Sequence, residues 1–255
     1  MKTALRSHIG RVRQLNEDRA WIGVTPGGLT AAAVADGMGG HNAGDVASTL
    51  AIDSLARSLS AWEEALSGPE AEDRLKAIVL AANAAVFEAA ANHAQYHNMG
   101  TTVVVALLDE REGLIGHIGD SRAYRVRGGA IEQLTEDHTL VNELTRSGQL
   151  SREEAAHHPR RNVLTRALGT DADVSVDLQR IDMLAGDRLL ICSDGLSALV
   201  EKELILDTMD TEGVTLEQRA ERLIALALTA GGDDNVTVAL IECEAEAGTR
   251  DGGTA

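Results

Sequence analysis

Residues 101–134, TTVVVALLDE REGLIGHIGD SRAYRVRGGA IEQL, decide how this chain folds. Four strand-like runs, 101–108, 114–118, 122–126 and 130–134, are separated by breaks of a few residues, the last holding Gly128-Gly129. Connections that tight join antiparallel neighbours, because a parallel crossover needs a dozen residues or more. The first run is apolar without alternation, which predicts burial on both faces.

Working outward, 3–8, 19–24 and 29–35 read as strands, with Pro26-Gly27-Gly28 as a turn. Helices are expected over 44–60 and 70–92, parted by Ser67-Gly68-Pro69. Leu75, Ile78, Ala82, Val86 and Ala89 fall on one face of the second. Downstream, the polar stretch 136–170 carries two short helical patterns, and Ser151 with Glu154 forms a capping-box signature. Strands return at 175–181 and 188–191. A helix starts at Thr215, with Gln218 completing a second capping box, and it buries Leu216, Ala220, Leu223, Ile224 and Ala227. Residues 236–241 form the last strand, and 244–255 are small, polar and expected to be disordered. Strands in consecutive groups with paired helices between them imply an α+β fold of antiparallel sheets covered by helices. No internal repeat and no Pro- or Ser-rich linker interrupts 1–243, so one domain is expected there.

The 255 residues are 44% hydrophobic and 25% charged, ordinary for a globular protein, but only 2% aromatic. The core must therefore come from Ala, Val, Leu and Ile, and a base-stacking platform is excluded. A formal charge of −17 repels nucleic acid and anionic membranes. Two cysteines, Cys192 and Cys243, exclude a disulfide scaffold and a Cys-rich zinc site. No signal peptide or membrane span is read, so a cytoplasmic protein without membrane insertion is expected.

Four segments place an aspartate beside glycine or asparagine just after an apolar strand: Asp36-Gly37, Gly119-Asp120, Asp194-Gly195 and Asp234-Asn235. Glycine there allows φ > 0 and close approach of backbone to a ligand. One such pair is an ordinary turn. Four brought together would repel: two charges 4 Å apart cost about 4 kcal/mol at an effective dielectric of 20. A divalent cation relieves this, and all-oxygen donors select Mg²⁺ or Mn²⁺ over zinc. Two such ions about 3.5–4 Å apart can hold a bridging hydroxide and polarise a phosphoryl oxygen.

The ordered series Arg13-Gln14-Leu15-Asn16-Glu17-Asp18, Asp36-Gly37-Met38-Gly39-Gly40-His41, Gly119-Asp120-Ser121-Arg122, Ser193-Asp194-Gly195-Leu196 and Gly232-Asp233-Asp234-Asn235-Val236-Thr237 resembles the motifs of the PP2C (PPM) protein phosphatases, the bacterial branch most closely. The resemblance implies a four-layer α-β-β-α sandwich, two antiparallel sheets flanked by helix pairs. It implies hydrolysis of phosphoserine and phosphothreonine on proteins by a metal-bridging hydroxide, with two Mn²⁺ or Mg²⁺ ions and a third, weaker site. Asp36 would bridge the two ions, Gly37 would offer its carbonyl oxygen, and Asp194 and Asp234 would hold the other ion. Asp120 with Asp194 matches the third site. Glu17, Asp18 and Asn235 would support metal-bound waters and ligands, and Arg13 would grip the substrate phosphate through its planar fork. The resemblance also implies a variable flap over about 137–170 and a Ser/Thr kinase and its targets as partners; a monomer is expected.

Met38 stands where animal members carry a histidine proposed as general acid, and it cannot donate a proton; His41 is read as structural. Other chemistries fit less well. The arginine of a cysteine phosphatase is replaced by Ala198 after Cys192 and by Thr249 after Cys243, and neither a Gly-x-Ser-x-Gly elbow nor a P-loop occurs. His157-His158-Pro159 reads as a solvated loop. Two alternatives from other classes are a catalytically dead phosphoprotein-binding module, disfavoured because every metal-ligand aspartate is present, and a hydrolase of small phosphate esters.

Overall fold

A computed structural model describes residues 1–40 and 43–244. His41 and residues 245–255, nearly all of the expected disordered tail, lie outside the described residues.

In chain order the elements are β1 (Lys2–His8), β2 (Asp18–Val24), β3 (Thr30–Met38), α1 (Ala43–Leu59), α2 (Pro69–Asn92), β4 (Gly100–Thr101), β5 (Val103–Leu108), β6 (Glu112–Ile118), β7 (Arg122–Arg127), β8 (Ala130–Gln133), α3 (Leu140–Arg146), α4 (Arg152–Ala156), β9 (Asp177–Asp182), β10 (Arg188–Cys192), α5 (Asp194–Ser197), α6 (Lys202–Asp210), α7 (Leu216–Thr229) and β11 (Val236–Glu242). One sheet runs β1-β11-β10-β7-β8; the other runs β2-β3-β5-β6-β9, with β4 paired to β3. Every strand pair is antiparallel. The two ends of the chain close the first sheet, with Lys2 opposite Glu242 and His8 opposite Val236.

Three apolar layers separate four structural ones. Between the sheets lie Ala32, Val34, Val104, Ala106, Ile191, Ala239 and Ile241. The alternate residues of the same strands, among them Ala31, Ala33, Val103, Val105 and Leu107, face α1 and α2. Val236, Val238 and Leu240 face α6 and α7 through Met209, Ala220 and Leu223. A strand with helices on one face and a second sheet on the other has no wet face, which is why 103–108 shows no alternation.

The expected strand 101–108 is interrupted at Thr102, where the regular pairing with β3 gives way to bonds between the Thr102 N–H and hydroxyl and the Asp36 backbone. Two helices went unread, α5 and α6. The four residues of α5 are too short to show a period. In α6 only Ile205, Thr208 and Met209 are buried, while Leu204 is 47% exposed, so its apolar residues do not mark one clean face. By length and composition α2 is long and apolar enough to cross a membrane, a property the sequence reading passed over. Here it buries Leu75, Ile78, Val79, Ala82 and Val86 against the sandwich.

Candidate metal centre

Strand register alone brings the first acids together: β2 pairs with β3 so that Asp18 lies opposite Asp36. Asp120 follows β6 and Asp194 opens α5 directly after β10, both at strand ends as expected. Two positions differ from expectation. Asp36 lies inside β3 rather than beyond it, and Asp234 precedes β11 rather than following a strand.

Asp36 is clamped through its backbone. Its N–H donates to Thr102 Oγ1 at 3.0 Å, and its carbonyl accepts from the Thr102 N–H at 2.9 Å and from Thr101 Oγ1 at 2.8 Å. Thr102 Oγ1 shares a 2.7 Å hydrogen bond with Ser121 Oγ, so the same hydroxyl ties β3 to the residue beside Asp120. Both hydroxyls are buried.

The glycines beside the acids serve close packing more than backbone twist. A Cβ on Gly37 would meet the Gly44 carbonyl oxygen at 2.0 Å, and one on Gly195 would meet the Asn235 carbonyl oxygen at 1.9 Å. Neither has positive φ; of the glycines in these motifs beside a candidate ligand, Gly119 does, at 107°. Contact of Gly37 with Gly44 seats the start of α1 on β3, with the Glu17 carboxylate close against the backbone of Gly44. Acid at a helix N-terminus is favourable.

Asn235 organises the segment that carries Arg13 and Glu17. Buried, it accepts from the Glu17 N–H at 2.7 Å and donates to the carbonyls of Ile9 and Leu15 at 2.8 and 2.9 Å. Arg13 Nη2 lies 2.6 Å from Asp234 Oδ2, at the open side of the cluster. Gripping a phosphate would require this guanidinium to share or release that carboxylate.

The cluster is electrostatically frustrated. Asp18 accepts from Ser193 Oγ at 2.7 Å, yet burial pushes its carboxyl up to about 7, with Asp194 and Asp234 adding to the effect. Burial, then the neighbouring charges of Asp18, Asp194 and Asp120, hold Asp36 well above the usual carboxylate range, and Asp194 is raised by burial and by Asp234. Asp120 rises to about 7 through burial and the charges of Asp194 and Asp137. Asp18 Oδ1 and Asp194 Oδ1 are buried with no hydrogen-bond partner. Orphaned buried carboxylate oxygens in an oxygen-only set are what hard divalent cations satisfy, so the residues present fit Mn²⁺ or Mg²⁺.

A second cluster, His117, His138 and Asp177, could hold an ion by distance alone, and no motif in the sequence points to it. Its groups are already committed. The Gly119 N–H donates to His138 Nδ1 at 3.1 Å, His138 Nε2 reaches Asp177 Oδ2 at 3.1 Å, and His117 Nε2 reaches the Glu136 carbonyl at 2.9 Å. Arg166 already supplies Asp177 with a cation, at 2.9 Å. The cluster anchors the flap: the Thr165 N–H donates to the His138 carbonyl, and Thr139 bridges to Leu164. Thr102 and His138 were missed because single hydroxyls and histidines carry no spacing signal, and Ser193 stood in a quoted motif without a role of its own.

Between flap and sheet lies an open cleft of about 980 Å³, with Asp120 and Asp194 among its walls. Residues 6–228 match the family described as Protein phosphatase 2C. The serine/threonine phosphatase stp of Listeria monocytogenes is 38% identical over 245 residues, 95% of this chain and 96% of that protein. The crystal structure of the Mycobacterium tuberculosis serine/threonine phosphatase PstP/Ppp superposes with a TM-score of 0.86 at 39% identity, covering 96% of this chain and 99% of that one. The PstP catalytic domain in complex with two manganese ions gives 0.82 at 39% identity, over 94% and 96%.

Proposed function

The chain belongs to the protein phosphatase 2C family, and from that we propose that it is a Mn²⁺- or Mg²⁺-dependent protein phosphatase that hydrolyses phosphoserine and phosphothreonine monoesters. The observation that carries this reading is the frustrated carboxylate cluster, in which burial and mutual repulsion raise Asp18, Asp36, Asp120 and Asp194 together while Asp18 Oδ1 and Asp194 Oδ1 lack partners. A site evolved only for stability would not leave them so.

Two hard cations, when bound, make hydroxide available at neutral pH and polarise a phosphoryl oxygen. Asp36 and the Gly37 carbonyl, with Asp194 and Asp234, are the groups proposed to hold them; Asp120 with Asp194 would hold a third. Thr101 and Thr102 fix the backbone of Asp36, so its carboxylate is preorganised. Glu17 is oriented by the start of α1, Asp18 by Ser193, and Asn235 holds the segment from which Arg13 presents its fork to the phosphate. Met38 holds no proton for the departing alkoxide, which leaves that task to the Asp120 side of the site. Residues 1–243 form the proposed phosphatase domain. Phosphorylated proteins, including a Ser/Thr kinase and its targets, are the proposed partners of a cytoplasmic monomer.

The test is hydrolysis of a phosphothreonine peptide with Mn²⁺ and after exhaustive chelation, for the parent and Asp36→Asn. Activity should require metal and should collapse in the variant while circular dichroism stays unchanged. Full turnover in chelator, or near-normal kcat in Asp36→Asn, would refute the assignment.

A further inference from the structure

The cleft beside the metal centre is lined by charge of both signs, and only part of it is accounted for. Asp120 and Asp194 stand at the catalytic side. Elsewhere it is lined by four arginines. Two are neutralised: Arg122 binds Asp137 through Nε at 2.8 Å and Nη2 at 2.6 Å, and Arg146 pairs with Glu136 at 3.4 Å. Arg152 and Arg161 are exposed and make no ion pair or side-chain hydrogen bond among the described residues. The flap that carries them is electrically unlike the rest of the protein. Residues 137–170 hold five arginines against four acids, a net +1 that leaves −18 on the remainder of a chain whose total is −17.

On the phosphatase reading above, we propose that Arg152 and Arg161 select substrates carrying a second anionic group close to the phosphate being removed. The group is an acidic side chain or a second phosphorylated residue of the same segment. A protein of this charge repels anionic peptides at long range. A local pair of unneutralised guanidiniums in the same cleft as Asp120 and Asp194 reverses that for peptides lying along the cleft. Guanidinium suits the task because its fork donates two parallel hydrogen bonds to carboxylate or phosphate oxygens.

The experiment uses the Mn²⁺-loaded full chain and four peptides built around one phosphothreonine: neutral flanks, Asp/Glu flanks, a second phosphothreonine nearby, and Lys flanks. The readout is the ratio of kcat/KM for each anionic peptide to that for the neutral one. One exposed ion pair is worth up to about fivefold and a charge-assisted bond more, so a ratio of roughly 5 to 30 is expected, shrinking with added salt. Preference for the doubly phosphorylated peptide alone would identify the second group as phosphate; equal preference for the Asp/Glu peptide would identify acidic sequence. Arg152→Ala with Arg161→Ala should bring the ratio toward one, whereas the double Lys variant should keep much of it, which a merely structural role would not produce. A parent ratio near one, or a ratio unmoved in the double Ala variant, would overturn the proposal. Failure on every phosphopeptide despite turnover of p-nitrophenyl phosphate would instead sink the phosphoprotein reading on which it rests.

Discussion

Removing metal should make this protein lose stability as the pH rises from about 4 to 7, the reverse of ordinary acid denaturation. Asp18 shows why. Its carboxyl is displaced from 3.8 to about 7 by burial first and neighbouring carboxylates second. Between those values the folded protein holds a proton that the unfolded chain has released, so the free energy of unfolding falls as pH rises. At 1.36 kcal/mol per pH unit the displacement is worth roughly 4 kcal/mol, a large share of the 5–15 kcal/mol typical of a domain. Asp36, Asp120 and Asp194 act in the same direction, though not additively, because they share the same charges. His138 acts oppositely: burial lowers it from 6.5, so its contribution is lost as pH falls. Its effect is common to both metal-loaded and metal-free protein and cancels in their difference. The assay is urea unfolding at several pH values from 5 to 7.5, in EDTA and in saturating Mn²⁺. At a fixed Mn²⁺ concentration the stabilisation should grow with pH, because the apparent Kd falls as the carboxylates lose the protons that compete with the ion; a concentration of 100 times Kd corresponds to about 2.7 kcal/mol. A metal increment that is flat with pH would refute the claim that these carboxylates share one buried site.

Thr102→Val should cost about 2–4 kcal/mol, because it leaves the Asp36 N–H and the buried Ser121 hydroxyl without their partner; Thr102→Ser should cost much less, and equal urea midpoints for the two would contradict the clamp. Arg13→Ala should mainly raise KM for phosphopeptide while Mn²⁺ affinity, read by calorimetry, holds or tightens, since Asp234 loses a competing cation; weakened Mn²⁺ binding would make Arg13 structural. Asp120→Ala should depress phosphoserine-peptide hydrolysis by about 10²–10⁴-fold more than p-nitrophenyl phosphate hydrolysis, because only the alkoxide needs a proton to leave. Equal losses on both substrates would reject a proton-delivery role.

The sequence by itself determined the layer architecture and the acids. Strand runs separated by tight turns allow only antiparallel pairing, and both capping boxes, Ser151 with Glu154 and Thr215 with Gln218, form where the residue order put them. The motif series named Asp36, Asp120, Asp194 and Asp234, and the fold brings all four together, with Asp36 and Asp194 buried and Asp234 partly exposed at the rim. Such features are legible because they are local: a turn, a cap or a period is written in neighbouring residues. Only the tertiary structure decided what surrounds those acids. That Asp36 sits within β3, that Asp234 leads into β11, that Gly37 and Gly195 are glycine because another backbone occupies the place of a Cβ, and that Thr102 interrupts its strand to hold Asp36 all depend on chain segments tens to hundreds of residues apart. So does the contrast between Arg122 and Arg146, which have carboxylate partners, and Arg152 and Arg161, which have none among the described residues. Pairing, burial and close approach are properties of distance in space, and the order of residues along the chain records that distance only where contacts are local.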